Sequence, residues 1–162
     1  MRVGIICEGT FDFVVLEALA IASGNANKCV MLQPDVDRLR TRDFTSGTGW
    51  QAVRKFLRDN TSALRLGMFD VIVVQVDASI RLSVELTLRA AREDEPDLAP
   101  LCDEIKSWFV GGPPENAIVA IPREELESWL IAVHTRITHV EAVADPVKEL
   151  VDRKIINVRP NG

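Results

Sequence analysis

The sequence has no apolar run that reaches the roughly 18–20 residues a membrane-spanning helix needs. Its first residues are typical of a β-strand, without the charged segment, apolar stretch and small-residue cleavage site of a secretory leader. Cysteine is scarce, and Cys7, Cys29 and Cys102 are widely spaced and match no zinc or redox pattern. Cys7 is best interpreted as a buried small hydrophobe. We therefore expect a cytoplasmic protein with no membrane partner.

The chain also lacks an overall surplus of positive charge. It carries 19 basic and 24 acidic residues, a formal net charge of -5. This balance argues against a protein that coats nucleic acid generally. The segment from residue 38 to residue 65 is an exception, because arginine and lysine clearly outnumber Asp43 and Asp59 there. Either it contacts phosphates or it is a solvated helix face with a loop, and the sequence leaves both interpretations open.

The order of the apolar segments predicts the fold class. Chain length and a hydrophobic content of 47% suit one domain with a sizeable core. Apolar or β-branched runs predict four strands, over residues 2–7, 29–32, 69–76 and 117–121. Helical periodicity or helix-start signals predict helices over residues 11–22, 50–58, 82–92, 101–109, 122–134 and 145–153. Alternation of strands and helices implies right-handed crossovers between parallel strands. We predict a single α/β domain over residues 1–162, a three-layer α/β/α sandwich with a mostly parallel, Rossmann-like sheet.

Acidic residues follow two of the predicted strands. Glu8 and Asp12 come after the first strand and Asp77 ends the third. Ligands of open α/β sheets bind at the carboxyl ends of the strands, and neighbouring strands lie roughly 5 Å apart. Mg²⁺ prefers oxygen ligands and keeps several waters, so two or three carboxylates suffice. Taken together the carboxylates predict an Mg²⁺ or Mn²⁺ site, although for each carboxylate alone a helix-start or capping role is favoured.

A fourth carboxylate lies in the predicted helix that starts at Pro122. Leu126, Trp129 and Leu130 form its core-facing stripe, and Glu127 flanks that stripe. Because Glu127 is one turn inside the helix, we expect it to be partly buried. It is a candidate for a further metal ligand or for a partner of an arginine.

These motifs resemble those of Toprim domains, found in topoisomerases, primases, OLD-family nucleases and RecR-type repair proteins. The likeness is closest to the small Toprim-like proteins grouped as the DUF4276 family. It rests on Glu8-Gly-Thr-Phe-Asp12 after a strand, Val-Val-Gln-Val-Asp77-Ala-Ser79 after another, Gly49-Trp50 opening a helix, and Ile121-Pro122 followed by Glu127-Ser-Trp-Leu130. The resemblance implies a Toprim fold with Glu8 and Asp77 as catalytic metal ligands. Ser79 stands where the family has a second aspartate, which disfavours a second metal and a two-metal mechanism.

The resemblance further implies Mg²⁺- or Mn²⁺-dependent hydrolysis of phosphodiester bonds, in DNA repair or defence. Four arginines would then hold a DNA or RNA backbone: Arg38, Arg40, Arg42 and Arg54. The alternative is a non-catalytic Toprim-like interaction module with a degraded metal site, favoured by Ser79 and the negative net charge. A receiver-like phosphoacceptor is disfavoured, because no lysine follows the fourth strand. A homodimer or a complex with a partner protein is left open.

Overall fold

The computed structural model describes residues 1–24, 26–35, 47–83 and 98–122, together with residues 148 and 152. The chain divides into two compact units, Met1–Arg123 and Glu124–Gly162. The first unit contains the sheet. In the second, Lys148 and Asp152 form a 2.6 Å ion pair one helical turn apart. Apart from Pro122, the predicted helix over residues 122–134 lies outside the described residues, as do most of those predicted over 82–92 and 145–153.

A four-stranded, all-parallel sheet forms the centre of the first unit. Its strands are β1 (Arg2–Ile6), β2 (Lys28–Gln33), β3 (Val71–Gln75) and β4 (Ala117–Ala120). Their order in the sheet is β2-β1-β3-β4, and every neighbouring pair is parallel. This arrangement confirms the predicted α/β, Rossmann-like class and the four strands.

Among the described residues, three α-helices and one 3-10 helix accompany the sheet: α1 (Thr10–Ala22), α2 (Trp50–Leu64), α3 (Ala99–Ser107) and the 3-10 helix (Ala78–Leu82). Helix α2 continues six residues beyond the predicted 50–58, because Thr61 and Leu64 extend its buried face. The Thr61 hydroxyl, buried in this face, donates to the Leu57 carbonyl at 2.5 Å. None of the helices in the described part of the chain is long and apolar enough to cross a membrane.

The two faces of the sheet are covered by different helices. Val3, Ile5 and Cys7 of one face pack with Leu16 of α1. The opposite face belongs to a larger cluster, which also contains buried residues of α2 and α3. From the sheet it contains Ile6, Ile72 and Val74, and from the two helices Val53, Leu57, Leu101 and Ile105. Strand side chains alternate between faces, so β1, β2 and β3 contribute to both cores, whereas β4 contributes to the larger one and exposes Ile118 on the other face. The unit is therefore a three-layer sandwich, as predicted.

The strand order creates a crevice at the carboxyl edge of the sheet. Helix α1 follows β1 and packs on one face, whereas α3 follows β3 and packs on the other. Connections that leave two neighbouring strands toward opposite faces open a crevice between them, which is where α/β sheets bind ligands. Glu8 and Asp77 follow these two strands.

Candidate metal centre

Glu8 and Asp77 are neighbours at the carboxyl ends of β1 and β3. The two strands pair in parallel, with Ile6 opposite Val74. The backbone N–H of Asp77 donates a 2.8 Å hydrogen bond to Glu8 Oε1. The structure therefore brings together the two carboxylates that the sequence separates by 69 positions.

The amino terminus of α2 also reaches Glu8. The backbone N–H of Gly49 donates to the Glu8 carbonyl at 2.8 Å. The N–H of Trp50, the first residue of α2, hydrogen-bonds to the Glu8 carboxylate. Gly49 has a φ of 81°, which glycine adopts readily and other residues rarely do. The partial positive charge of a helix start thus faces the Glu8 carboxylate.

Asp12 lies in the first turn of α1 and caps that helix. Its Oδ2 accepts a 2.8 Å hydrogen bond from the backbone N–H of Gly9. The capping role is the one that its position near a helix start favours on general grounds. Its negative charge still raises the pKa of Glu8. Asp12 therefore contributes to the field around the site, and its role as a ligand stays a prediction.

Burial is the main reason why the pKa of Glu8 lies above its ordinary value. The hydrogen bond from the Asp77 N–H lowers it, whereas the negative charges of Asp77 and Asp12 raise it further. A half-buried carboxylate beside two others is a place where a divalent cation relieves repulsion. However, the described residues contain no group of three or more histidine, cysteine or acidic side chains arranged to hold a metal. A centre here would have Glu8 and Asp77 as protein ligands, completed by water, which suits Mg²⁺.

Gln75 is a site residue that the sequence analysis did not identify. It is the last residue of β3 and is 0% exposed. Its Nε2 donates to Asp77 Oδ1 at 2.8 Å. Its Oε1 is the one buried side-chain nitrogen or oxygen in the described part of the chain without a hydrogen-bond partner, which costs about 1–3 kcal/mol. In the sequence, the feature that could have indicated Gln75 is a single polar residue within the otherwise apolar run 71–76.

Cys7, next to Glu8 in the chain, is a neutral buried thiol. Burial, followed by the charge of Asp12, raises its pKa to about 12. Its single S–H has two carbonyl acceptors within reach, that of Gly9 at 3.2 Å and that of Gln33 at 3.4 Å from Sγ. Since a nucleophilic cysteine needs a lowered pKa, the structure confirms Cys7 as a core residue.

Arg54 is the predicted nucleic-acid contact that the structure describes. It is exposed on α2, one turn after Trp50. Its guanidinium carbon lies 6.0 Å from the ring centroid of Trp108, in cation–π range. Ser79 is exposed in the 3-10 helix. The other predicted site residues lie outside the described part of the chain: Arg38, Arg40, Arg42 and Glu127.

The raised pKa of Glu8 predicts a pH-dependent gain in stability for Glu8→Gln. The folded state binds the Glu8 proton more tightly than the unfolded state, so ionisation of Glu8 opposes folding. Stability is therefore lost as pH rises from about 4.5 through the raised pKa. In EDTA at pH 7 we expect Glu8→Gln to melt at a higher temperature than the wild type, with the difference disappearing below about pH 4. Thermal melts across this range test it. Equal melting temperatures at pH 7 would contradict it.

A scan against protein-family models finds no match, and comparisons with curated proteins and with solved structures find none either. The resemblance to Toprim domains therefore stays a prediction that rests on the motifs.

Proposed function

We propose that the protein binds Mg²⁺ or Mn²⁺ through Glu8 and Asp77 and hydrolyses phosphodiester bonds of nucleic acid, as a Toprim-like enzyme. The observation that supports this most is the 2.8 Å contact of Asp77 N–H with Glu8 Oε1 in the crevice between β1 and β3. Two carboxylates at such a switch point form an oxygen-rich pair at the edge where α/β proteins bind ligands.

The proposed roles follow from the surroundings of each residue. A bound divalent cation polarises a phosphate and lowers the pKa of an attacking water. Glu8 and Asp77 would hold it, and Gln75 steadies one oxygen of Asp77. The cation would also offset the burial, and the repulsion from Asp77 and Asp12, that raise the pKa of Glu8. A role for Glu8 as general acid or base conflicts with tight metal binding, because a metal-bound carboxylate does not titrate near the working pH.

Arg54 would provide the nearest contact to the nucleic-acid backbone. Helix α2 places it four residues from Trp50, whose N–H reaches Glu8. Four residues correspond to about 6 Å along a helix axis. A phosphate bound by Arg54 would thus lie close to the carboxylates. We propose DNA or RNA as the partner, with Arg38, Arg40 and Arg42 as further contacts.

A non-catalytic Toprim-like interaction module is the second candidate. It is supported by the absence of a three-ligand metal group among the described residues and by the two backbone N–H groups that already bind the Glu8 carboxylate. In that case the Glu8 carboxylate would stabilise the fold. It would do so by accepting hydrogen bonds from the backbone N–H of Trp50 at the start of α2 and of Asp77 after β3.

Calorimetric titration with Mn²⁺ tests the metal site directly. We expect the wild type to bind, and Glu8→Gln and Asp77→Asn each to bind at least about 10-fold more weakly. Asp103→Asn is a matched control, because Asp103 is an exposed carboxylate on α3 that pairs with Lys106 at 3.6 Å. It should bind like the wild type. Absence of binding by the wild type at millimolar Mn²⁺ would overturn the proposal, as would undiminished binding by both site variants.

A further inference from the structure

Gln75 is an unusual choice for its position in β3. Val73, two residues earlier, packs against the core on the α1 face. Residues two apart in a strand share a face, so Gln75 lies on this side of the sheet, fully buried. A buried amide destabilises the fold unless both of its ends are hydrogen-bonded, and its Oε1 finds no partner among the described residues. An unbranched apolar side chain such as methionine would fill similar space without this penalty.

The contact that Gln75 does make is with the candidate metal ligand. Nε2 donates to Asp77 Oδ1 at 2.8 Å. Asp77 follows the end of β3. The backbone is held on both sides of it, because the N–H groups of Val76 and Ala78 donate to the carbonyls of Ala120 at 3.2 Å and Pro122 at 3.1 Å. The N–H of Asp77 itself donates to Glu8. Without Gln75, the carboxylate would lose a donor from the rigid sheet that limits its rotation. The Gln75 amide thus leaves Oε1 without a partner, and the bond from its Nε2 restrains the Asp77 carboxylate.

We propose that Gln75 is a positioning residue, held in the core of β3 at the expense of stability, that orients the Asp77 carboxylate for a divalent cation. This inference rests on the proposed metal site. Groups that orient metal ligands from behind commonly affect metal affinity although they never touch the ion. Unsatisfied buried groups of this kind are also typical of functional sites, where stability is given up for activity.

The test compares Gln75→Met with the wild type in two measurements. Calorimetric titration should show Mn²⁺ binding about 10–100-fold weaker than in the wild type. Thermal melting in EDTA should show a melting temperature equal to that of the wild type or higher, by up to about 4 °C. A merely structural role would give the opposite melting result, because loss of a stabilising side chain lowers the melting temperature.

Gln33→Met is the matched control. Gln33 is also a buried glutamine at the carboxyl end of a strand, β2, and is 5% exposed. Its Nε2 donates to the Gly47 carbonyl at 2.6 Å rather than to a carboxylate. The same substitution there should lower the melting temperature and leave the Mn²⁺ affinity unchanged. Gln75→Leu, with a branched side chain, repeats the main comparison with a different shape.

Each outcome has a defined meaning. Wild-type affinity in Gln75→Met and Gln75→Leu would overturn the inference while leaving the metal site intact. Failure of both variants to fold, or clearly lower melting temperatures in EDTA, would also overturn it, because Gln75 would then be a residue that the fold requires. Absence of Mn²⁺ binding by the wild type would instead remove the proposed function itself, and the inference with it.

Discussion

Asp77→Asn is expected to reduce Mn²⁺-dependent nicking of supercoiled plasmid at least about 100-fold. Loss of a group that only supports a metal ligand costs up to about 100-fold, and Asp77 is a proposed ligand itself. The substitution removes the negative charge but keeps the shape. The side-chain amide oxygen of the variant would still accept from Gln75 Nε2, and the backbone N–H at this position would still donate to Glu8 Oε1. A neutral amide oxygen is a weaker ligand for a hard divalent cation than a carboxylate. The loss would therefore report on the ligand rather than on the fold.

The experiment compares four proteins prepared in parallel: wild type, Asp77→Asn, Glu8→Gln and Asp103→Asn. Asp103→Asn should nick at the wild-type rate, since its carboxylate lies on the exposed side of α3. Equal nicking by all four would identify a contaminating nuclease and refute the enzymatic proposal. Mn²⁺ binding that depends on Glu8 and Asp77, without nicking, would keep the metal site and refute the hydrolytic activity, whereas absence of both binding and nicking would favour the interaction module.

The fold and the location of the site could be predicted from local patterns. Residues 71–74 of β3 are apolar and β-branched, which is typical of a parallel strand covered on both faces. The alternation of such runs with helices implied parallel strands, and parallel strands place their carboxyl ends at one edge. Glu8 and Asp77 could therefore be expected at that edge, and the structure places them there in contact.

The partners of these carboxylates could not be predicted, because they depend on long-range geometry. No local pattern shows that the start of α2 docks on Glu8, as that requires the chain to return from β2. The role proposed for Gln75 depends on its place in the strand, because it is buried and lies two positions before Asp77. For Asp12 the structure shows the helix-capping contact that its position three residues after Gly9 favours, and its predicted role as a metal ligand stays a prediction.

Trp108→Ala is expected to destabilise the protein by about 3–5 kcal/mol, the usual loss when a large buried aromatic side chain is truncated. Trp108 follows α3, is 4% exposed and belongs to the larger core cluster. Its ring centroid lies 6.1 Å from that of Trp50, and its Nε1 donates to Glu104 Oε1 at 2.9 Å. Domains are typically stable by about 5–15 kcal/mol, so this loss would remove a large share of the total.

Urea unfolding followed by circular dichroism measures the effect. Leu66→Ala is the control, because Leu66 is 76% exposed and surface changes usually stay within about 0.5 kcal/mol. A loss below about 1 kcal/mol in Trp108→Ala would contradict the placement of this ring in the core. The variant also separates two supports of the proposed metal centre, since Trp108 packs on Trp50 while Gly49 holds Glu8 through the backbone. Because the backbone contact does not involve the Trp108 ring, the folded fraction of Trp108→Ala should still bind Mn²⁺. Loss of that binding would show that the tryptophan pair, rather than the Gly49 hydrogen bond, holds the start of α2 against Glu8.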